Sequence, residues 1–221
     1  MVLLDNSVVY NETREILLGK RKQNPLLIEF SDWFKSRYSI DVLNIHFDKV
    51  VQRKRDRFRL KVFFECTEDY QKMFVSPFRP NQKYDEEIVL EFRILAINHR
   101  LADISELEDL FVCYVDFSDE AKTVANWNAD KEVKKEIKSK YPVVWDVVWM
   151  FSSSVVFYYS DADIRVYEKN GTSKAITDLY YYILKKYDEP NYFTRENIRL
   201  KFDSKENLDK NYQGNLFYYT R

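Results

Sequence analysis

Glycine and proline are scarce in this chain, with three and five occurrences in 221 residues. The glycines stand alone, in LGKRK, KNGTS and YQGNL. A phosphate cradle needs clustered glycines so that backbone N–H groups can approach the ligand. There is no P-loop, no GxGxxG and no GxSxG, which argues against nucleotide-dependent chemistry. Histidine and cysteine are as rare: His46, His99, Cys66 and Cys113. None stands at ligand spacing from another, and neither HExxH nor CxxC occurs, so no metal and no cofactor is expected. Both cysteines lie in apolar runs, VFFEC and LFVCYVDF. Free, buried thiols in a reducing compartment follow from that setting.

Long uncharged stretches are missing too. No window reaches the roughly 18 apolar residues of a membrane span; residues 147–160 come nearest. The opening MVLLDNSVVYNETRE has no basic leader, so the sequence predicts a cytoplasmic protein without a membrane anchor.

What is present is a rich supply of core material. The chain is 45% hydrophobic, 17% aromatic and 32% charged, which places it among folded globular proteins with a solvated surface. Lys, Asn, Tyr, Phe and Ile are plentiful and Ala is sparse, the bias of an A+T-rich bacterial or phage genome.

Apolar spacing in PLLIEFSDWFKSRYS (25–39) predicts a helix opened by Pro25. Residues 42–51 and 57–66 alternate and predict an antiparallel hairpin with Phe58, Leu60, Val62 and Phe64 on one face and Arg57, Arg59 and Lys61 on the other. His46 falls on the polar face of its strand. A short helix, TEDYQKMF, follows with Thr67 as N-cap. Residues 77–85 read as loop. Ile88, Leu90, Phe92 and Ile94 alternate, so 86–98 reads as a strand. LFVCYVDF (110–117) is a strand, and Ser118 with its acids opens a helix that reaches 141, with a break near Asn128. VVWDVVWMF and SSSVVFYY predict two strands joined by a serine turn. Ser160 caps a helix closing at Gly171, and 172–188 is a helix with Tyr180 in its core stripe. The tail reads strand (NIRLKF), short helix (DSKENLDKNY) and strand (NLFYYTR).

These elements predict an α+β fold with mixed, mainly antiparallel sheets and flanking helices. Two similar halves are expected, 1–97 and 98–221, within one compact protein or as two domains. The basis is the likeness between RLKVFFECTEDYQKMF (59–74) and RLKFDSKENLDKNY (199–212).

Asp146 is the one charge in VVWDVVWMFSSSVVFYY (143–159). Strand alternation puts it on a face with Val144, Val148 and Met150, in a strand apolar enough to be central. A bare buried carboxylate costs several kcal/mol, so Asp146 must be paired. No second acid or histidine is at hand to make it catalytic, and a structural role is expected.

Net charge is −1, yet charge is segregated. Lys49, Arg53, Lys54, Arg55, Arg57, Arg59 and Lys61 face a single acid, Asp56, while Asp103, Glu106, Glu108, Asp109, Asp116, Asp119 and Glu120 run without a base. The sequence therefore favours a non-catalytic protein-binding module, of the type of immunity proteins that inhibit bacterial toxins. Its acidic segment would cover a toxin or other basic protein, and Trp127 would supply aromatic contact. The alternative is a nucleic-acid binder using the basic hairpin 49–61. A further alternative is an enzyme whose active site has no recognisable motif.

Overall fold

The fold was obtained as a computed structural model, which describes residues 7–51, 57–101 and 107–220. It is an α+β protein with mixed sheets and flanking helices, and antiparallel pairings outnumber parallel ones. The chain divides into two compact units, Met1–Asp119 and Glu120–Arg221.

In the first unit, α1 (Ser7–Leu17) and α2 (Pro25–Tyr38) precede the hairpin β1 (Asn44–Val50) and β2 (Arg57–Phe64). Asn24 caps α2 through its side chain, and Pro25 takes the first helical position, where its missing N–H costs nothing. α3 (Thr67–Lys72), the small hairpin β3 (Phe74–Ser76) and β4 (Arg79–Pro80), and α4 (Gln82–Asn98) lead to β5 (Phe111–Asp116). β5 lies parallel to β2, giving the order β1-β2-β5. That pairing places β5 in the first unit, so the joint falls after Asp119 instead of near 98.

The second unit takes in most of α5 (Phe117–Lys140), then β6 (Val144–Met150), β7 (Ser153–Tyr158), α6 (Asp161–Lys169) and α7 (Thr172–Lys185). β8 (Leu200–Ser204), α8 (Lys205–Tyr212) and α9 (Leu216–Tyr219) complete it. Here β6 is antiparallel to β7 and β7 parallel to β8.

Both units therefore repeat one plan: helix, antiparallel hairpin, two helices, then a third strand parallel to the second. The likeness extends to side chains. In α4 the fully covered positions are Ile88, Phe92, Leu95 and Ala96; in α7 they are Ile176, Tyr180, Ile183 and Leu184, with the same spacing. Val62, Phe63 and Phe64 of β2 correspond to Val156, Phe157 and Tyr158 of β7, all buried. The match pairs 59–69 with 153–163, so the likeness between 59–74 and 199–212 is not the structural one. The third strand also carries a shared junction. The Thr67 hydroxyl donates to Asp116 at the end of β5, and the Ser204 hydroxyl at the end of β8 donates to Asp161. Hydroxyl and carboxylate have changed places, but the bond joins the same two positions.

Three expected elements change type or extent. Residues 86–98 are helical, because Ile88, Phe92 and Leu95 form the buried stripe while Leu90 and Ile94 face water. Seventeen residues without Gly or Pro suit a helix better than a strand. α5 runs through Asn128 without a break. The tail 216–219 is a helical turn: Asn215 caps it, and Tyr219 donates to Asp203. At α3 the N-cap is Cys66, and Thr67 is the first helical residue, its hydroxyl spent on Asp116.

A polar pair also stands at the start of α4 and at the start of α7. The Tyr114 hydroxyl donates to Asp85 at 2.6 Å, and Tyr158 and Ser173 bond at 2.9 Å. Burial pushes the Asp85 carboxyl above its ordinary value. The folded state thus holds that proton more tightly than the unfolded chain. Asp85 favours folding below the usual carboxylate range and loses that contribution as pH rises through its raised value. Asp85→Asn, which keeps the acceptor for Tyr114, is expected to gain in melting temperature relative to wild type between about pH 4 and about pH 7. A gap that stays constant across parallel thermal melts would refute this.

Candidate functional site

The predicted acids do not gather. Asp103 and Glu106 lie outside the described residues, as do Arg53, Lys54, Arg55 and Asp56 of the basic tip. Glu108 is exposed and Asp109 half-buried just before β5; Asp116 ends that strand; Asp119 is exposed in the first turn of α5. The length of β5 between the two groups, roughly 17 Å, exceeds the screening length at physiological salt, about 8 Å. They do not act as one patch. Asp116 is engaged in architecture: its Oδ1 accepts from the Ser118 hydroxyl (2.7 Å) and the Asp119 N–H (3.1 Å), making it the cap of α5.

The second unit brings together a group that sequence reasoning found only in part. Trp127 on α5 is 53% exposed. Its ring meets Trp149 of β6 edge to face, with centroids 5.0 Å apart. Trp149 in turn touches Phe151 at 5.3 Å. Phe151 is half-exposed and sits in the left-handed region, φ 56°. A non-glycine residue pays about 1–2 kcal/mol for that conformation. Such strain persists where the surroundings enforce it, and it concentrates at functional surfaces.

Asn126 is what enforces it. Its amide Nδ2 donates to the carbonyls of Phe151 (2.8 Å) and Ser153 (2.6 Å) across the β6–β7 turn. Its Oδ1 accepts from the hydroxyls of Tyr180 (2.8 Å) and Ser154 (3.3 Å). All three side chains are buried. The serine turn is real, but Ser154 belongs to the strand and this network, while Ser153 donates to Met150 O. Because Asn126 adjoins Trp127, one buried amide fixes the tip bearing Phe151 against the helix bearing Trp127. Trp149 Nε1 is buried in this cluster with no hydrogen-bond partner among the described residues. Glu120, half-buried, lies two helical turns before Trp127 on the same side of α5. Pairing of Trp127 with Trp149 was not legible in the sequence, because a register irregularity between Val144 and Asp146 re-phases β6.

That irregularity also answers the Asp146 question. Val144 and Val147 enter the core, while Trp145, Val148 and Met150 pack on the opposite side. β6 is an edge strand, not a central one. Asp146 is partly exposed, with Oδ1 at 3.4 Å from Lys138 Nζ. It has the structural pairing expected, at a surface where such pairs contribute little.

Among the described residues, His46 and Cys113 stand apart from one another. His46 and Cys113 are both level with Lys61, on strands either side of it. Two strand spacings, about 9.6 Å, part them. Burial pushes the Cys113 thiol up and holds the His46 imidazole below its ordinary value; neither change makes a thiolate–imidazolium pair. The buried Asp188 accepts from Tyr192 N–H, Phe193 N–H and Lys185, and closes a loop. Among the described residues, no group of three or more His, Cys, Asp or Glu is arranged to hold a metal ion, and no helix is long and apolar enough to cross a membrane.

Two substitutions test these assignments. Asp146→Asn is expected to change unfolding free energy by less than about 1 kcal/mol, read by denaturant titration. Asn126→Ala strands buried hydroxyls and carbonyls and is expected to cost about 1–3 kcal/mol. It should also shift tryptophan emission in the folded state, because the Trp127–Trp149 contact loosens. Unchanged emission would separate the amide from the aromatic group.

The chain matches no protein-family profile, and no curated protein is similar to it in sequence.

Proposed function

We propose that the protein is a non-catalytic binding module, and that the Trp127–Trp149–Phe151 group is the centre of its protein-binding surface. The observation that carries this reading is Phe151. A phenyl ring is displayed at a position where glycine or asparagine would relieve the backbone. Rings of this kind dominate binding energy when a partner covers them. The partner fits the class of basic proteins, with toxins neutralised by immunity-type inhibitors as the type case. Glu120 on the same side of α5 supports this, since negative charge speeds encounter with a basic partner. The charges steer, and the aromatic group supplies residence time.

The test begins with capture of partners from the native host and continues with binding kinetics on the purified pair. Phe151→Gly is expected to leave stability unchanged or raised, since glycine accepts the left-handed conformation, and to weaken binding at least tenfold. Trp127→Ala should weaken it comparably through faster dissociation, and Glu120→Lys should slow association and flatten its salt dependence. Wild-type affinity in both aromatic variants would overturn the assignment.

A further inference from the structure

The outer sheet face of the first unit carries charge where the second unit carries an apolar seam. On β2, Arg57, Arg59 and Lys61 point away from the core that Leu60 and Val62 enter. His46 is level with Lys61, and Asp48 and Phe111 are level with Arg59. At the places of His46, Asp48 and Lys61 the second unit has Val148, Met150 and Val155, packed with Leu208, Leu216 and Tyr219 of the C-terminal helices, and at the place of Arg59 it has Ser153. The shared plan thus accepts uncharged residues at these positions, and cations are not a requirement of the fold.

The charges are arranged, not scattered. Asp48 meets Arg59 with two bonds, at 3.0 and 2.6 Å, which fixes that guanidinium and neutralises it. Arg57 and Lys61 flank it on the same strand, each about 6.8 Å away. The Arg57 guanidinium lies over the Phe111 ring, 4.4 Å from its centroid, giving a cationic plane backed by an aromatic one. α1 packs beside β1, where Asn44 donates to Thr13 at 2.8 Å and Glu12 lies near enough to His46 to act on its charge.

We infer that this face binds single-stranded nucleic acid. Arg57 and Lys61 contact successive backbone phosphates, and a base stacks on the Arg57–Phe111 pair, since guanidinium planes and aromatic rings are the two surfaces on which unpaired bases stack. Regular cation spacing along an extended strand and a planar platform beside it suit a linear polyanion with flat bases. An acidic protein would use the cations but not the platform.

The test is fluorescence anisotropy of labelled oligo-dT and oligo-U of about 20 nucleotides, titrated with the full chain. Saturable binding is expected, with affinity falling as salt rises at a logarithmic slope of about −1.4 to −2, the value for two to three phosphate contacts. Arg57→Gln with Lys61→Gln should weaken binding at least tenfold. Phe111→Leu, which keeps every charge, should weaken it severalfold without changing the slope. Lys135→Gln in the second unit should bind as wild type. Should thermal melts show either test variant unfolded, Arg57→Lys replaces it, keeping the charge and losing the plane, with a severalfold loss expected. Absence of saturable binding, wild-type affinity in the Phe111→Leu or Arg57→Lys protein, or equal competition by polyglutamate of matched length would each overturn the inference, the last in favour of an acidic protein.

Discussion

The display surface of the second unit depends on one buried amide. Asn126 holds two carbonyls of the β6–β7 turn with one end and two hydroxyls of the core with the other. Each of these bonds contributes on the order of 1 kcal/mol net, enough to offset the cost of left-handed backbone at Phe151. The interaction therefore connects helix, hairpin and core to the exposed aromatic group, and it explains why a strained residue can be kept at a surface.

The two units show how a plan persists while its residues change. A helix start leaves backbone donors in need of acceptors, and a strand end must turn into it. A hydroxyl and a carboxylate meet that need whichever side each comes from. Thr67 with Asp116, and Ser204 with Asp161, are the same joint with the chemistry exchanged. The polar pairs Asp85–Tyr114 and Ser173–Tyr158 share only the helix position, since Tyr114 comes from the third strand and Tyr158 from the second. What is retained is position and bonding capacity, which is why letter-by-letter comparison found the wrong match within the chain.

Legibility in the sequence followed local physics. Pro25, the alternation of Phe58, Leu60 and Val62, and the Ser160 cap each act within a turn or a strand, and each is legible in the residue order. α4 was misread because it is apolar on more than one side. Leu90 and Ile94 complete an apparent alternation although they point to water. The four residues of α9 are too few to show a period, and their helix is set by Asn215 and by the contact of Tyr219 with Asp203. Trp127 was identifiable as an aromatic on a polar helix. Trp149 and Phe151 were not, because the register irregularity after Val144 reassigns the faces of β6, and nothing in the residue order announces it. The acidic run looked like one feature on paper, but an intervening strand of extended backbone separates its members.

The helix after the third strand has different work in the two units, and this shapes both surfaces. α8 turns back so that Leu208 packs on Val155 and Phe157 of its own sheet. α5, at the matching place after β5, carries Ala125, Ala129, Val133 and Ile137 into the core of the second unit. One apolar stripe serves one core. The stripe of that helix therefore does not serve the sheet of the first unit as α8 serves its own, and the matching face there carries His46, Asp48, Arg59 and Lys61. Charged side chains keep such a face compatible with water, and their long apolar stems still cover the strands beneath. The two units thus present different chemistry on the same plan, an apolar seam packed with α8 and α9 in one and half-buried ionic side chains in the other.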